Sequence, residues 1–166
     1  MRKLLTMSVL GAAMLIGYNA SAQFGVQAGI AMPMGTFGDI AGMGFGGALS
    51  YKKEMGEGMK IGGSVGFFSL SGEEVDILGT TYEYGNSTLI PILATFDYAL
   101  GDNLYVGADA GYNVISVDMG DVPGSVTGSS AALIPKAGIL FDKVSVEGRF
   151  NVIGDQYLGV LVGFSF

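Results

Sequence analysis

The chain of 166 residues has no cysteine, no histidine and no tryptophan. Without cysteine there is no disulfide framework, no thiol nucleophile and no thiolate-held zinc or iron–sulfur centre. Without histidine there is no Ser-His-Asp triad, no imidazole general base and no imidazole metal ligand. Charge is scarce too, at 14% of residues, and lopsided: 8 Lys and Arg against 15 Asp and Glu give a net charge of −7. That balance offers no basic footprint for nucleic acid. What the chain has in quantity is glycine, 29 residues, within a composition that is 49% hydrophobic. A disordered chain would have fewer aromatic and β-branched residues and more net charge. The length is that of one domain.

Residues 1–22 read as an export signal rather than as part of the fold. Arg2 and Lys3 form a positive start, Leu4 to Gly17 is a largely apolar run of 14 residues, and Ala20-Ser21-Ala22 supplies a small-residue cleavage site. The run is shorter than the roughly 20 residues a helix needs to cross a bilayer. Cleavage before Gln23 leaves residues 23–166 as one domain, with six cations against its fifteen acids. A cysteine-free exported chain suits a periplasm or an outer membrane better than a small disulfide-stapled secreted domain.

Residues 23–166 alternate with period two almost throughout and contain no convincing amphipathic helix. The pattern predicts strands at about 23–33, 43–53, 58–70, 87–100, 103–116, 131–141, 144–153 and 157–166. Short turns at Glu54-Met55-Gly56-Glu57, Gly101-Asp102-Asn103 and Asp142-Lys143 alternate with long loops at Met34 to Gly42, Ser71 to Asn86 and Asp118 to Ser130. A tight Gly154-Asp155-Gln156 is the last connection on the long-loop side. An even number of strands of about ten residues, with turns short on one rim and long on the other, predicts an all-β, eight-stranded antiparallel up-and-down transmembrane β-barrel.

Alternation alone would also fit a soluble sandwich, so the second face matters. In one strand Phe45, Gly47, Leu49 and Tyr51 alternate with Gly44, Gly46, Ala48 and Ser50; in the last, Leu158, Val160, Val162, Phe164 and Phe166 alternate with Tyr157, Gly159, Leu161, Gly163 and Ser165. The second row is mostly small, where a solvated sheet would carry Lys, Glu and Thr, and it suits a narrow interior. Charge on a lipid face costs roughly 2–4 kcal/mol at the midplane for Lys or Arg. By that rule Leu104, Val106, Ala108, Ala110 and Tyr112 face out, as do Val144, Val146, Phe150 and Val152. Asp109, Asn113, Ser145, Glu147, Arg149 and Asn151 then face in. Aromatics gather near strand ends, where interfacial girdles form: Phe24, Tyr51, Tyr98, Phe141 and either Phe164 or Phe166 at the short-turn rim, Phe45, Phe67, Tyr112 and Phe150 nearer the long loops.

The export signal, the hairpin pattern, Gly29-Ile30-Ala31-Met32-Pro33 ahead of Gly35-Thr36-Phe37-Gly38-Asp39, and the ending Gly163-Phe164-Ser165-Phe166 resemble the small outer-membrane β-barrels of Gram-negative bacteria. These are the porin-family or OmpA/OmpX-like eight-stranded barrels. The resemblance implies an integral outer-membrane protein, a monomer surrounded by outer-membrane lipid. It also implies that the terminal strand, through Leu158, Val160, Val162, Phe164 and Phe166, carries the signal read by the barrel-assembly machinery. The catalytic barrels of that class rely on a histidine this chain cannot supply, so neither an enzyme nor a cofactor is expected.

The charges divide by place. The long loops hold Asp39, Glu73, Glu74, Asp76, Glu83, Asp118 and Asp121, the last connection adds Asp155, and none of these segments contains Lys or Arg. The plain reading is loops kept soluble by charge; the sharper one is an outer mouth that gathers divalent cations, although no loop has EF-hand spacing. Inside, Asp97, Asp109, Lys136, Glu147 and Arg149 all fall about four to six residues from their short turns. At ~3.3 Å per residue they share one layer, which predicts a polar network across the lumen. That layer reads as a structural plug or as a narrow polar path.

Three readings therefore stand: a structural or surface-interacting barrel with a plugged lumen, a narrow porin-like channel for small solutes or ions, and a soluble periplasmic β-protein. The segment 71–86, with Ile77, Leu78, Tyr82 and Tyr84 beside its acids, is the expected contact surface. Mass spectrometry of the exported protein is expected to show a chain beginning at Gln23; retention of residues 1–22 would refute the leader assignment.

Overall fold

The computed structural model describes residues 22–72, 74–77, 80–83, 85–118 and 125–166. Residues 1–21, in which the export signal is expected, together with Glu73, Leu78, Tyr84 and Asp121, lie outside the described residues. The elements are β1 (Ala22–Pro33), a single helical turn α1 (Gly35–Gly38), β2 (Ala41–Gly56), β3 (Met59–Gly72), β4 (Glu74–Ile77) and β5 (Thr80–Glu83). They continue with β6 (Ser87–Ala99), β7 (Leu104–Asp118), β8 (Ser125–Phe141), β9 (Val144–Asn151) and β10 (Tyr157–Ser165).

All strands except β4 and β5 close into one antiparallel barrel in which β1 meets β10 and every other neighbour follows chain order. The fold is thus the eight-stranded up-and-down barrel that the alternation predicts. Closure leaves no sheet edge within the wall, so its backbone groups find partners around the ring apart from local breaks such as that at Pro91, as a structure surrounded by lipid requires. The seam pairs Gly25 with Ser165 through to Pro33 with Tyr157. Phe166 also donates its backbone N–H to the carbonyl of Phe24 at 2.9 Å, fastening the two ends of the described chain together.

The outward face is apolar on every strand of the barrel. Phe45, Phe67, Leu49, Ile92, Tyr112, Phe141 and Val162 are each more than half exposed. A soluble monomer rarely exposes contiguous apolar patches beyond a few hundred Å², whereas this belt runs around the whole wall. Near the short turns Phe24 and Tyr51 sit on adjacent strands with ring centroids 5.0 Å apart, and Phe164 packs edge-on against Phe166 at 5.2 Å.

Some elements differ from the sequence pattern. β8 begins at Ser125 instead of 131, because Ser125–Ser130, a Ser/Gly-rich stretch that reads as loop, pairs in register with Asn113–Asp118 of β7. β4 and β5 form a separate two-stranded sheet inside the segment that reads as one long loop. Proline shapes the ladders at two places. Pro91 has no N–H to give, and the pairing of β3 with β6 skips from Val65–Ile92 to Phe68–Leu89 around it. Pro135 immediately precedes Lys136, where pairing of β8 with β9 starts.

Extracted from membranes with detergent, the folded barrel is expected to migrate differently on a gel before and after boiling. Recovery in the aqueous fraction without such a shift would overturn the transmembrane reading.

Candidate functional site

With the outside given to lipid, the interior holds the chemistry. Inward-facing side chains come from alternate positions: Gln27 on β1, Lys52 on β2, Asp97 on β6, Tyr105 and Asp109 on β7, Lys136 on β8, Glu147 and Arg149 on β9. They form a connected network. Lys136 Nζ lies 2.8 Å from Asp97 Oδ1, 2.6 Å from Asp109 Oδ1 and 3.9 Å from Glu147 Oε2. Arg149 pairs with Glu147 through both Nε and Nη2, and its Nη2 also donates to Gln27 Oε1 at 3.0 Å. Tyr105 donates its hydroxyl to Glu147 Oε2 at 2.8 Å. Lys52 reaches Asp97 Oδ2 at 2.6 Å.

The structure brings together all five of the residues that the sequence places in one lumen layer, and adds three that it does not: Lys52, Tyr105 and Gln27. Lys52 reads as a cation of the short turn, yet it shares the inward parity of Ala48 and Ser50, and that parity is the signal for it. With Lys52 included, three cations meet three carboxylates and the layer is neutral.

Two glycines make the layer geometrically possible. Asp97, Gly107 and Lys136 are register neighbours on three successive strands. A Cβ at position 107 would lie 2.7 Å from Asp97 Oδ1 and 2.9 Å from Lys136 Cε, so only glycine lets the pair join across β7. Gly159 does the same for Arg149: a Cβ there would sit 2.9 Å from the arginine Cγ, on the route its side chain takes across β10 to Gln27 on β1. Close approach, rather than turn formation, is what these two positions demand.

Towards the long-loop rim the lumen is mostly apolar, although Ser87, Asn113 and Asn151 are also buried there. Phe68, Leu70, Leu89, Leu93, Ile115, Ile134, Tyr157 and Leu161 pack together with Ala31, Ala41 and Ala132, and α1 turns Phe37 into the same cluster from above. The small inward row read on one strand is found on β2, and on β10 Gly159, Gly163 and Ser165 share the inward row with Tyr157 and Leu161. The upper halves of β3, β6 and β8 send large apolar side chains inward. Below the ion-pair layer a cavity of about 90 Å³ opens between Gln23, Ser50, Lys60, Asn103, Leu140 and Ser165 near the short turns. Lys60 donates to Gln23 Oε1 there at 2.8 Å.

At the long-loop rim Asp39 and Asp118 are exposed, and Glu74, Asp76 and Glu83 fall on β4 and β5. Asp155 is drawn into structure instead: Ser130 donates to its side chain, and Asn151 Nδ2 donates to its carbonyl at 2.7 Å and to that of Ile153 at 2.8 Å. Among the described residues no group of three or more carboxylates converges on a point where a metal ion could be held. Leu158, Val160, Val162, Phe164 and Phe166 all lie on the outward face of the last strand and its end.

No protein-family model matches the sequence, and neither does any curated protein. Solved structures do share the fold. Neisserial surface protein A superposes with a TM-score of 0.55 over 90% of this chain and 100% of its own, at 17% identity. The Yersinia pestis outer membrane protein Ail, determined in a phospholipid bilayer nanodisc, gives 0.53 over 88% of this chain and 100% of its own at 14% identity. The crystal structure of Ail, the attachment invasion locus protein, gives 0.50 over 89% and 97% at 15% identity. The fold is that of the small eight-stranded outer-membrane β-barrels.

The network predicts a specific pattern of stability. Arg149→Met removes the nearest cation from the buried Glu147 carboxylate, leaving it the Tyr105 hydroxyl and Lys136 at 3.9 Å, and is expected to lower the free energy of unfolding by about 3 kcal/mol. Arg149→Met combined with Glu147→Leu removes one charge of each sign and should recover most of that loss. Urea unfolding of both variants in detergent micelles checks the pattern. Equal losses in the single and double variants would refute it.

Proposed function

We propose that the protein is a monomeric, integral outer-membrane barrel with a structural or surface-interacting role, a closed lumen and its long loops outside the cell. The observation that carries this reading is the layered interior, in which a neutral ion-pair layer spans the short-turn half and an apolar cluster under Phe37 fills the other. Eight strands enclose a space just wide enough for side chains, and here side chains occupy it. The apolar wall meets outer-membrane lipid, the export signal ends before Gln23, and the terminal strand from Leu158 to Phe166 serves barrel assembly. Its ending and the terminal aromatic support that assignment. The exposed acids Asp39 and Asp118 act as solubilising rim charges in this reading, while the gathering of divalent cations is left to a larger set of loop carboxylates.

A narrow channel is the second reading, and one observation favours it. Asp109 and Asn113 follow one another on the inner row of β7 with only Gly111 between them, and the side chains of Thr95 and Asn113 are buried without a protein hydrogen-bond partner among the described residues. A thin polar file could follow that row past the apolar cluster.

Planar-bilayer recording separates the two. The closed reading expects no steady unit conductance from the wild-type barrel. It expects none from Lys136→Ala with Arg149→Ala either, because the apolar cluster still blocks the upper half. Adding Phe68→Ala and Leu161→Ala should open one. Unit conductance in the wild type would establish the channel instead.

A further inference from the structure

The outward positions of β2 run Gly47, Leu49, Tyr51, Lys53, from bare backbone through an aliphatic and an aromatic side chain to an ammonium at the short-turn rim. Register neighbours widen this strip on both sides. Phe24 and Gly63 flank Tyr51, Val26 and Val65 flank Leu49, and Ala28 and Phe67 flank Gly47. Gly47 puts no side chain between Val26, Leu49, Val65 and Phe67, and a shallow apolar groove of about 350 Å³ lies there on the outer wall. Gly63 leaves a second bare spot beside Tyr51, where a Cβ would meet no heavy atom closer than 3.5 Å. Nearer the rim the Tyr51 ring packs on Phe24 with centroids 5.0 Å apart. Lys53 is exposed, and none of the ion pairs among the described residues includes it. On the outward rows of β1, β2 and β3 it is the single charged residue. Glu54 follows it but stands opposite the inward-facing Lys60, and Glu57 lies in the turn beyond.

This order of polarity is that of a phospholipid, and the lengths agree. The hydrocarbon of a bilayer is about 30 Å thick, so one leaflet supplies about 15 Å of it. At ~3.3 Å per residue Gly47 and Lys53 stand about 20 Å apart along the strand. The usual strand tilt of about 40° reduces that to about 15 Å along the membrane normal. We propose that the strip from Lys53 to Gly47 binds one anionic diacyl phospholipid of the leaflet at the short-turn rim. Its phosphate meets the Lys53 ammonium, its glycerol lies at the Tyr51 ring, and one acyl chain fills the groove over Gly47. Lysine near a membrane surface favours anionic headgroups, and its stem can lie on apolar wall while the ammonium reaches the headgroup level. The groove selects a lipid over a free phosphate ion. The site goes beyond the structural reading above and rests on its export signal ending before Gln23, because Ala22 pairs with Lys53 and a retained leader would continue from there.

Native mass spectrometry of the barrel, purified from membranes into micelles doped with equal amounts of dioleoyl phosphatidylglycerol and dioleoyl phosphatidylethanolamine, tests the site. The wild type is expected to retain one phosphatidylglycerol about fivefold more often than phosphatidylethanolamine. Lys53→Gln should bring the two lipids to parity. Lys143→Gln, which alters an exposed lysine of the β8–β9 turn, should keep the preference. Val65→Trp fills the groove and should reduce adducts of both lipids, and all three variants should retain the heat-dependent gel shift. Excess inorganic phosphate should leave the adduct in place. Equal retention of the two lipids by the wild type overturns the proposal, as does loss of preference in Lys143→Gln to the same degree as in Lys53→Gln. Displacement by phosphate overturns it too, and so does a barrel dimer abolished by Val65→Trp, which would make a second copy the occupant. The same spectra give the mass of the chain. An intact leader with the preference kept refutes the leader assignment alone, whereas a chain beginning at Gln23 without the preference refutes the site alone.

Discussion

A closed sheet of eight strands has one inside and one outside, and the period of two assigns every residue of its wall to one or the other. Once lipid claims the outside, each ionisable residue in mid-wall must turn inward, whatever else it does there. The remaining features follow from that constraint. Asp97, Asp109, Lys136, Glu147 and Arg149 are driven into a space of side-chain width, where none can keep its own shell of water. Mutual pairing is the way such a set can remain charged. The lattice of contacts around Lys136 and Glu147 is the result.

Pairing alone does not ensure fit. Side chains that must meet belong to strands separated by an intervening strand, and the intervening residue has to get out of the way. Gly107 stands between Asp97 and Lys136, and Gly159 stands under the path of Arg149. The high glycine content therefore has a local meaning inside the barrel. A different solution predominates in the upper half, where the apolar side chains of Phe68, Leu70, Leu89 and Ile134 interlock and Phe37 joins them. The two halves solve the same packing problem by different means, one by complementary charge and one by shape.

How much of this could be read from the residues varies with the strength of the local pattern. Strand number, antiparallel order and the facing of β7, β9 and β10 were legible because polar and apolar residues alternate cleanly there. The five charges of the lumen layer were legible for the same reason. Lys52 was obscured by its closeness to a turn, where lysine is unremarkable, although its parity pointed inward. The apolar cluster was hidden because alternation fades where both faces are apolar. The runs Phe67-Phe68 and Leu89-Ile90-Pro91-Ile92-Leu93 carry that signal, since strands covered on both sides read as continuous apolar stretches. The start of β8 escaped notice because Ser125–Ser130 has weak strand propensity, and its conformation is imposed by the ladder with β7.

The neutrality of the ion-pair layer bears on how the barrel would respond to an electric field. A charge carried across a membrane gains about 2.3 kcal/mol per 100 mV, which is how voltage-sensing segments are driven. Here Lys52, Lys136 and Arg149 are matched by Asp97, Asp109 and Glu147 at one height in the wall. A field along the barrel axis pulls the two sets in opposite directions, so the layer as a whole feels no net force. The same charges that would be costly alone make the midsection electrically inert when they are locked together.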